Sequence, residues 1–310
     1  MSNKNASIGV LMEDLKVSFK FAVRNILSFL LGMIGVIIVT LVVMLIGFAV
    51  VSIPLLFAMG GPQGFVAFFE SLGVLMEAIF VAQPDPAAAT LGILAIMLLV
   101  TPFFVAIGVV FGMGREIVES AGTSAEGVFV WYRKKFFSLA GGGIVMFVII
   151  GLPLFLVYGG LFLAGYVLTG LPSAVLASLS AFWIMLSSGM MTMVFPAIID
   201  NYSVLDATRQ SIRLTMKYFD RVFSTWFTFI LIIIVMFAPL GLGIAAFAMP
   251  SLGADFIFFA IYAVIAGFIL VLIVLPALVI ALSRLYMILS GIEISAVGEN
   301  EPDVSLVGGI

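Results

Sequence analysis

Six long apolar runs dominate this sequence and restrict its fold more than any other feature. A helix that crosses a bilayer needs about 20 mostly apolar residues, and each run reaches that length. Only 9% of the 310 residues are charged and 64% are hydrophobic, whereas an ordinary soluble domain is about 25% charged. The sequence therefore predicts an all-α integral membrane protein. The predicted spans are 27–51, 90–113, 138–162, 175–199, 222–248 and 256–283.

The chain contains neither cysteine nor histidine. This removes disulfides, thiol nucleophiles, the usual zinc and haem ligands, and every Ser-His-Asp or Cys-His arrangement. The Gly-Met-Gly at 112–114 lacks the rest of a dinucleotide fingerprint. We therefore expect a protein that is not an enzyme, with no catalytic residues, no cofactor, no metal and no nucleic-acid partner.

All thirteen basic residues fall on one side of the predicted spans. Because an excess of Lys and Arg marks cytoplasmic segments, both termini are predicted to be cytoplasmic. Residues 65–83 carry Glu70 and Glu77 on one helix face, and we interpret them as an amphipathic helix on the outer surface that does not span. The basic residues are Lys4, Lys16, Lys20, Arg24, Arg115, Arg133, Lys134, Lys135, Arg209, Arg213, Lys217, Arg221 and Arg284.

A short amphipathic segment recurs before spans one, three and five. EDLKVSFKFAVR (13–24) matches DATRQSIRLTMK (206–217) at a constant offset of 193, which aligns one acid and three bases. The middle copy, EGVFVWYRKKFFS (126–138), retains Glu126 and Arg133 and has Phe129 in place of the intermediate base. The pattern predicts three parallel repeats of an interfacial helix and a helical hairpin in a single membrane domain. Their bounds are approximately 8–118, 119–200 and 201–292, with a tail at 293–310.

The cations of these segments are the candidate headgroup-binding residues. At about 100° per residue they fall on a narrow stripe of each helix. One interpretation is a solvated face that obeys the positive-inside rule. The other is a set of helices that grip the anionic inner leaflet, with each cation contributing about 1 kcal/mol. The residues are Lys16, Lys20, Arg24, Arg133, Arg209, Arg213 and Lys217.

Asp200 and Arg284 lie at the predicted inner ends of spans four and six. Both could be interfacial charges that extend to the headgroups. The alternative is an ion pair between them that closes the inner mouth of a central cavity.

Proline and small residues recur along the spans. The prolines are explained by kinks that neighbouring helices tolerate, with hinges for alternating access as the alternative. Gly108, Gly112 and the glycines at 141–143 predict close helix packing. The small polar face of span four, Ser187–Thr192, suits the same packing or a polar substrate pathway. The span prolines are Pro54, Pro102, Pro153, Pro196, Pro239 and Pro276.

Pro196, Asp200 and the A-x-x-x-S of Ala207–Ser211 form a pattern of their own. It resembles the six-span membrane domain that is fused to some glycerophosphodiester phosphodiesterases, and that domain's stand-alone relatives in bacteria and archaea. The resemblance is clearest over 190–240. It implies a membrane domain without an assigned activity, because the phosphodiesterase of the fused forms resides in a separate soluble barrel that needs acidic and histidine residues.

Two functional hypotheses follow for a prokaryotic plasma-membrane protein. The first is an accessory or scaffold protein that interacts with lipids, another membrane protein or a second copy of itself. The second is a transporter or permease for a small or amphipathic solute. An interior filled with Phe, Leu and Met favours the scaffold, and a polar cavity among spans two, four and six favours the transporter.

Overall fold

The structure, a computed structural model, describes residues 8–58, 60–64, 66, 70, 86–120, 126–164, 166, 170–247 and 256–292. The regular elements in this part of the chain are helices. Six are long and apolar enough to cross a membrane, which supports a multi-pass membrane protein. Most of the predicted outer helix at 65–83 and the tail at 293–310 lie outside the described residues. The six candidate spans are Ile26–Val50, Thr101–Ser120, Gly127–Leu161, Leu171–Ile199, Phe219–Gly241 and Phe258–Ser290.

The helices include both short and membrane-length elements. The first short helix runs directly into the first long one, and the same arrangement precedes span five. The helices are α1 (Ile8–Arg24), α2 (Ile26–Ala58), α3 (Pro86–Ser120), α4 (Gly127–Leu163), α5 (Leu171–Met191), α6 (Val194–Ile199), α7 (Val204–Lys217), α8 (Phe219–Phe247), α9 (Phe256–Ile269) and α10 (Leu275–Ser290).

Several helices extend further than the sequence pattern predicts, and α2 continues from 51 to Ala58. α3 continues from 113 to Ser120, where Arg115 pairs with Glu119 one turn later at 2.7 Å. α10 continues from 283 to Ser290 because the residues around Arg284 are apolar and buried. α4 joins the middle amphipathic segment and span three into one uninterrupted helix.

The prolines have two different effects on the helices. Pro102, Pro153 and Pro239 lie inside helices that continue through them. Span four instead divides into α5 and α6 two residues before Pro196. Span six contains a π-helical segment, Leu270–Val274, just before Pro276. A proline lacks an N–H and its ring collides with the carbonyl four residues earlier, so a break or a widened turn relieves the collision.

One compact unit combines the described parts of Met1–Gly35, Gly108–Lys135 and Gly189–Ile310. α10 lies in its core, with only a few residues of its length reaching the surface. α1 and α8 pack against α10, and the short α6 packs against both α7 and α10. A helix that is apolar on every face needs such a central position.

A second unit consists of the described parts of Val36–Ile107 and Phe136–Ser188. The backbone of Gly143 in α4 lies against the side chain of Phe104 in α3, as expected for a close packing point. The Trp183 indole N–H donates to the carbonyl of Ile150 at 3.1 Å. Large apolar side chains such as Leu156 and Phe182 remain exposed, and a bilayer would cover such a surface.

Candidate functional site

α1 places its cations and its small polar residues on opposite faces. Lys16, Lys20 and Arg24 are all exposed. The buried residues of the helix are Asp14, Ser18 and Ala22, which recur every four positions. This spacing produces one continuous face of a helix, and that face packs against α10.

α7 repeats the same division in the third predicted repeat. Arg209, Arg213 and Lys217 are exposed, whereas Ala207, Thr208, Ser211, Leu214 and Thr215 are buried. Ser203 caps the helix, because its hydroxyl oxygen accepts a hydrogen bond from the N–H of Asp206 at 3.3 Å. Arg209 and Asp206 are 4.0 Å apart but largely exposed, so this pair contributes little and leaves the guanidinium accessible.

Exposed aliphatic side chains lie beside the cations on both helices. Met12 and Val23 are 61% and 54% exposed on α1, and Leu205 and Met216 are 65% and 67% exposed on α7. The two pairs are related by the same offset of 193 as the cations. The charge pattern alone separates Val23 and Met216 from the cationic stripe, whereas the shared offset places each pair beside equivalent cations.

We refer to these two surfaces as the α1 face and the α7 face. The α1 face comprises Met12, Lys16, Lys20, Val23 and Arg24, and the α7 face comprises Leu205, Arg209, Arg213, Met216 and Lys217. Apolar side chains flanked by cations are typical of helices that lie in a membrane interface.

The middle predicted copy presents a more aromatic surface. Arg133 is exposed on α4, and Phe129 and Phe137 are exposed beside it, the latter at 87%. Because α4 is continuous, this surface belongs to the same helix as span three.

Asp200, at the end of α6, forms an ion pair with Arg115 of α3. One carboxylate oxygen lies 3.1 Å from an Arg115 guanidinium nitrogen, and the other accepts a hydrogen bond from the Tyr286 hydroxyl at 3.2 Å. The next residue, Asn201, has a left-handed φ of 70°, and its side-chain oxygen accepts a hydrogen bond from Lys135 at 2.7 Å. These contacts connect the end of α6 to α3, α4 and α10.

Arg284 has a different acidic partner from the one that the sequence suggested. It lies 3.9 Å from Asp14 of α1, and Asp14 also binds Arg221 of α8 at 3.0 Å. The Asp14 and Arg221 side chains are only 11% and 4% exposed. The structure thus pairs Asp200 with Arg115 and Arg284 with Asp14, and the ion pair between Asp200 and Arg284 stays a prediction.

The sequence analysis did not single out Asp14, Arg221 or Arg115. One signal was present for Asp14: it lies on the side of the helix opposite the α1 face, four and eight residues before Ser18 and Ala22. A charged residue on the buried face of a helix requires an oppositely charged partner. No comparable periodicity marks Arg221 or Arg115.

Ser211 joins α7 to the break in span four. Its hydroxyl donates to the carbonyl of Met190 at 2.7 Å and accepts from the backbone N–H of Met193 at 3.2 Å. Ser211 is fully buried, as is Ala207 one turn earlier. The A-x-x-x-S pattern therefore has a physical basis: a small residue allows close approach, and a hydroxyl satisfies backbone groups that the helix break releases.

Within the described residues, no three acidic side chains come together as possible metal ligands. No protein-family model matches the chain, and neither a curated protein nor a solved structure shows significant similarity to it.

Proposed function

We propose that this chain is a non-enzymatic multi-pass membrane protein that acts as an accessory or scaffold protein bound to anionic lipids of the inner leaflet. The observation that carries the proposal is the matched composition of the α1 and α7 faces. Each face exposes three cations beside two aliphatic side chains. Cations supply attraction to anionic headgroups, and aliphatic side chains supply binding that persists at high salt. Another membrane protein or a second copy of the chain is the alternative partner.

Three parallel repeats are part of the same proposal. α1 ends at Arg24 and α7 ends at Lys217, and each continues directly into a spanning helix. These ends are separated by the same 193 positions that relate the cations. Buried Ser18 and Ser211 also correspond at this offset. The middle copy differs because α4 has no comparable break.

The proposed orientation places both termini in the cytoplasm of a prokaryotic cell. Thirteen basic residues on one side of six crossings support it. Since the chain has no cysteine, single cysteines can test it in intact cells with an impermeant thiol reagent. Substitutions at Gln63, Ser173 or Ser251 should be labelled directly. Substitutions at Asn5, Ser124 or Ser203 should be labelled only after permeabilisation, and labelling of Ser124 and Ser203 from opposite sides would contradict both the orientation and the repeats.

We also propose a relation to the membrane domain of the fused phosphodiesterases. Its support is the Pro196, Asp200 and Ala207–Ser211 pattern, in which Ser211 bonds to the broken span. No phosphodiesterase activity is proposed, because the chain has no histidine.

A transporter or permease is the second candidate, and one observation favours it. The break of span four at Thr192–Met193 and the π-helical segment of span six at Leu270–Val274 both lie just before a proline. Discontinuous spans of this kind form substrate sites in transporters. The composition of the interior favours the scaffold, because its largest fully buried side chains are Met, Phe, Leu, Ile and Tyr. Protein-dependent flux of a solute across the membrane of proteoliposomes would establish the transporter.

Lipid selectivity tests the leading proposal. The full-length protein carries Met216→Trp on the exposed α7 face as its single tryptophan, with phenylalanine at Trp131, Trp183 and Trp226. It is reconstituted in bilayers in which brominated phosphatidylglycerol competes with phosphatidylcholine, and quenching of this tryptophan reports the lipid in contact with the α7 face. At about 1 kcal/mol for each cation, Arg209→Gln with Arg213→Gln should reduce the preference for phosphatidylglycerol about 30-fold at low salt. The matched variant with lysine at both positions should retain it. Equal quenching by the two lipids with both arginines in place would refute the proposal.

A further inference from the structure

The two faces of α7 have different surroundings. Its outer face carries Arg209 and Arg213, and between them Ser211 points inward to the broken backbone of span four. We propose that anionic lipid bound at the α7 face stabilises the helix break at Thr192–Met193 through Ser211. This inference rests on the proposed lipid binding and adds a regulated element to it.

The backbone at the break depends on α7 for its hydrogen bonds. In an uninterrupted helix the N–H of Met193 would donate to the carbonyl of Gly189. Here that carbonyl accepts instead from the N–H of Thr192 at 3.4 Å and from the Thr192 hydroxyl at 2.9 Å. The Met193 N–H bonds to Ser211. A single hydroxyl of α7 therefore replaces a bond that span four lacks.

The two faces of α7 are close enough to be coupled. Ser211 lies two residues from each arginine, so one rigid turn separates the cations from the hydroxyl. All three cations of the α7 face are exposed while both bonds of Ser211 are in place. With both bonds in place, α7 is fixed against span four and presents its three cations together, whereas loss of the bonds would release the helix and disperse the cations. Anionic lipid therefore binds the bonded state better, and a ligand shifts an equilibrium toward the state that it binds better. Anionic lipid should favour the closed bonds and protect the Met193 amide.

α1 lacks this connection and provides an internal control. Ser18 occupies the equivalent buried position, but its hydroxyl donates to the carbonyl of Asp14 in its own helix at 2.7 Å. Ser18 therefore gives lipid bound at Lys16 and Lys20 no hydrogen bond to the break at Thr192–Met193.

Hydrogen exchange of the full-length protein in lipid nanodiscs tests the coupling. Exchange of the Met193 amide is measured in phosphatidylcholine alone and in equal parts phosphatidylglycerol and phosphatidylcholine. Coupled sites typically change an equilibrium about 5- to 150-fold, and we expect exchange to be about tenfold slower with anionic lipid. Arg209→Gln with Arg213→Gln should abolish this difference, whereas Lys16→Gln with Lys20→Gln should preserve it. Ser211→Ala should abolish it and Ser18→Ala should preserve it.

The outcomes separate this inference from the function on which it rests. Preserved quenching by brominated phosphatidylglycerol together with unchanged Met193 exchange overturns the coupling alone. Absence of any anionic-lipid preference in the quenching assay overturns both. If Ser211→Ala fails to fold, the variant with Arg209→Gln and Arg213→Gln decides the question, because both arginines are exposed. Slower Met193 exchange with anionic lipid in that variant would refute the route through α7.

Discussion

Replacing Asp14 with asparagine should destabilise the protein severely, because two buried arginines share this carboxylate. Arg221 lies 3.0 Å from it and Arg284 lies 3.9 Å from it. Removing one member of a buried ion pair typically costs about 3–5 kcal/mol. Asparagine retains one oxygen acceptor, so we expect the low end, about 3 kcal/mol, which is more than a hundredfold in the unfolding equilibrium.

Unfolding in mixed micelles of a mild and a denaturing detergent, followed by tryptophan fluorescence, measures this loss. Glu13→Gln is the matched control, because Glu13 is the exposed neighbour of Asp14 on the same helix. We expect that substitution to change the free energy of unfolding by less than about 0.5 kcal/mol.

A double-mutant cycle locates the interaction. Asp14→Asn should couple more strongly to Arg221→Gln than to Arg284→Gln, because the shorter contact also forms a hydrogen bond. A cost for Asp14→Asn as small as that of Glu13→Gln would refute the reasoning, as would stronger coupling to Arg284.

Four further substitutions, in two matched pairs, test local contacts in the same unfolding assay. Gly143→Ala should cost about 1–3 kcal/mol, because the new methyl group would collide with the Cβ of Phe104, which cannot rotate away. Gly47→Ala, with no described atom within 4 Å of the new methyl group, should be neutral or stabilising by up to about 1 kcal/mol. Ser211→Ala should cost about 1–3 kcal/mol, because two backbone groups lose a partner. Ser18→Ala should cost less than about 1 kcal/mol, since its hydroxyl bonds within its own helix. If Gly143→Ala and Gly47→Ala changed the free energy of unfolding equally, the close contact at Gly143 would be contradicted. Equal changes for Ser211→Ala and Ser18→Ala would contradict the bonds of Ser211 to span four.

Hydropathy and charge predicted the spanning helices well, because a bilayer imposes length and apolar composition on each helix separately. The start predicted for span one at 27 and the end predicted for span five at 248 each lie one residue from a helix end. Helix ends inside the protein were less predictable. α10 extends past Arg284 because tertiary packing buries the residues on either side of that charge, and a hydropathy pattern treats every charge as a boundary.

The partners of the inner charges could not be predicted from their position along the chain. Asp14 and Arg221 are 207 residues apart, and only the packing of α1 against α8 and α10 brings them together. A sequence pattern can show that a charged residue lies on the buried side of a helix, as Asp14 does on α1. It cannot show which of the thirteen cations will compensate for it.

The strengths of the inner contacts indicate where this unit can move. α10 contributes Arg284 to the Asp14 cluster and Tyr286 to the Asp200 cluster, so displacing it would disturb both. Breaking the buried Asp14 pair alone costs about 3–5 kcal/mol. The break of span four is held across elements by two hydrogen bonds of Ser211, each worth about 1 kcal/mol. Alternating access by movement of α10 would therefore require a large free energy to break these contacts. Adjustment of the backbone at Thr192–Met193 would require much less. This difference in free energy favours a scaffold in which the contacts of α10 stay fixed and only the break of span four adjusts. It disfavours a transporter that moves its even-numbered spans.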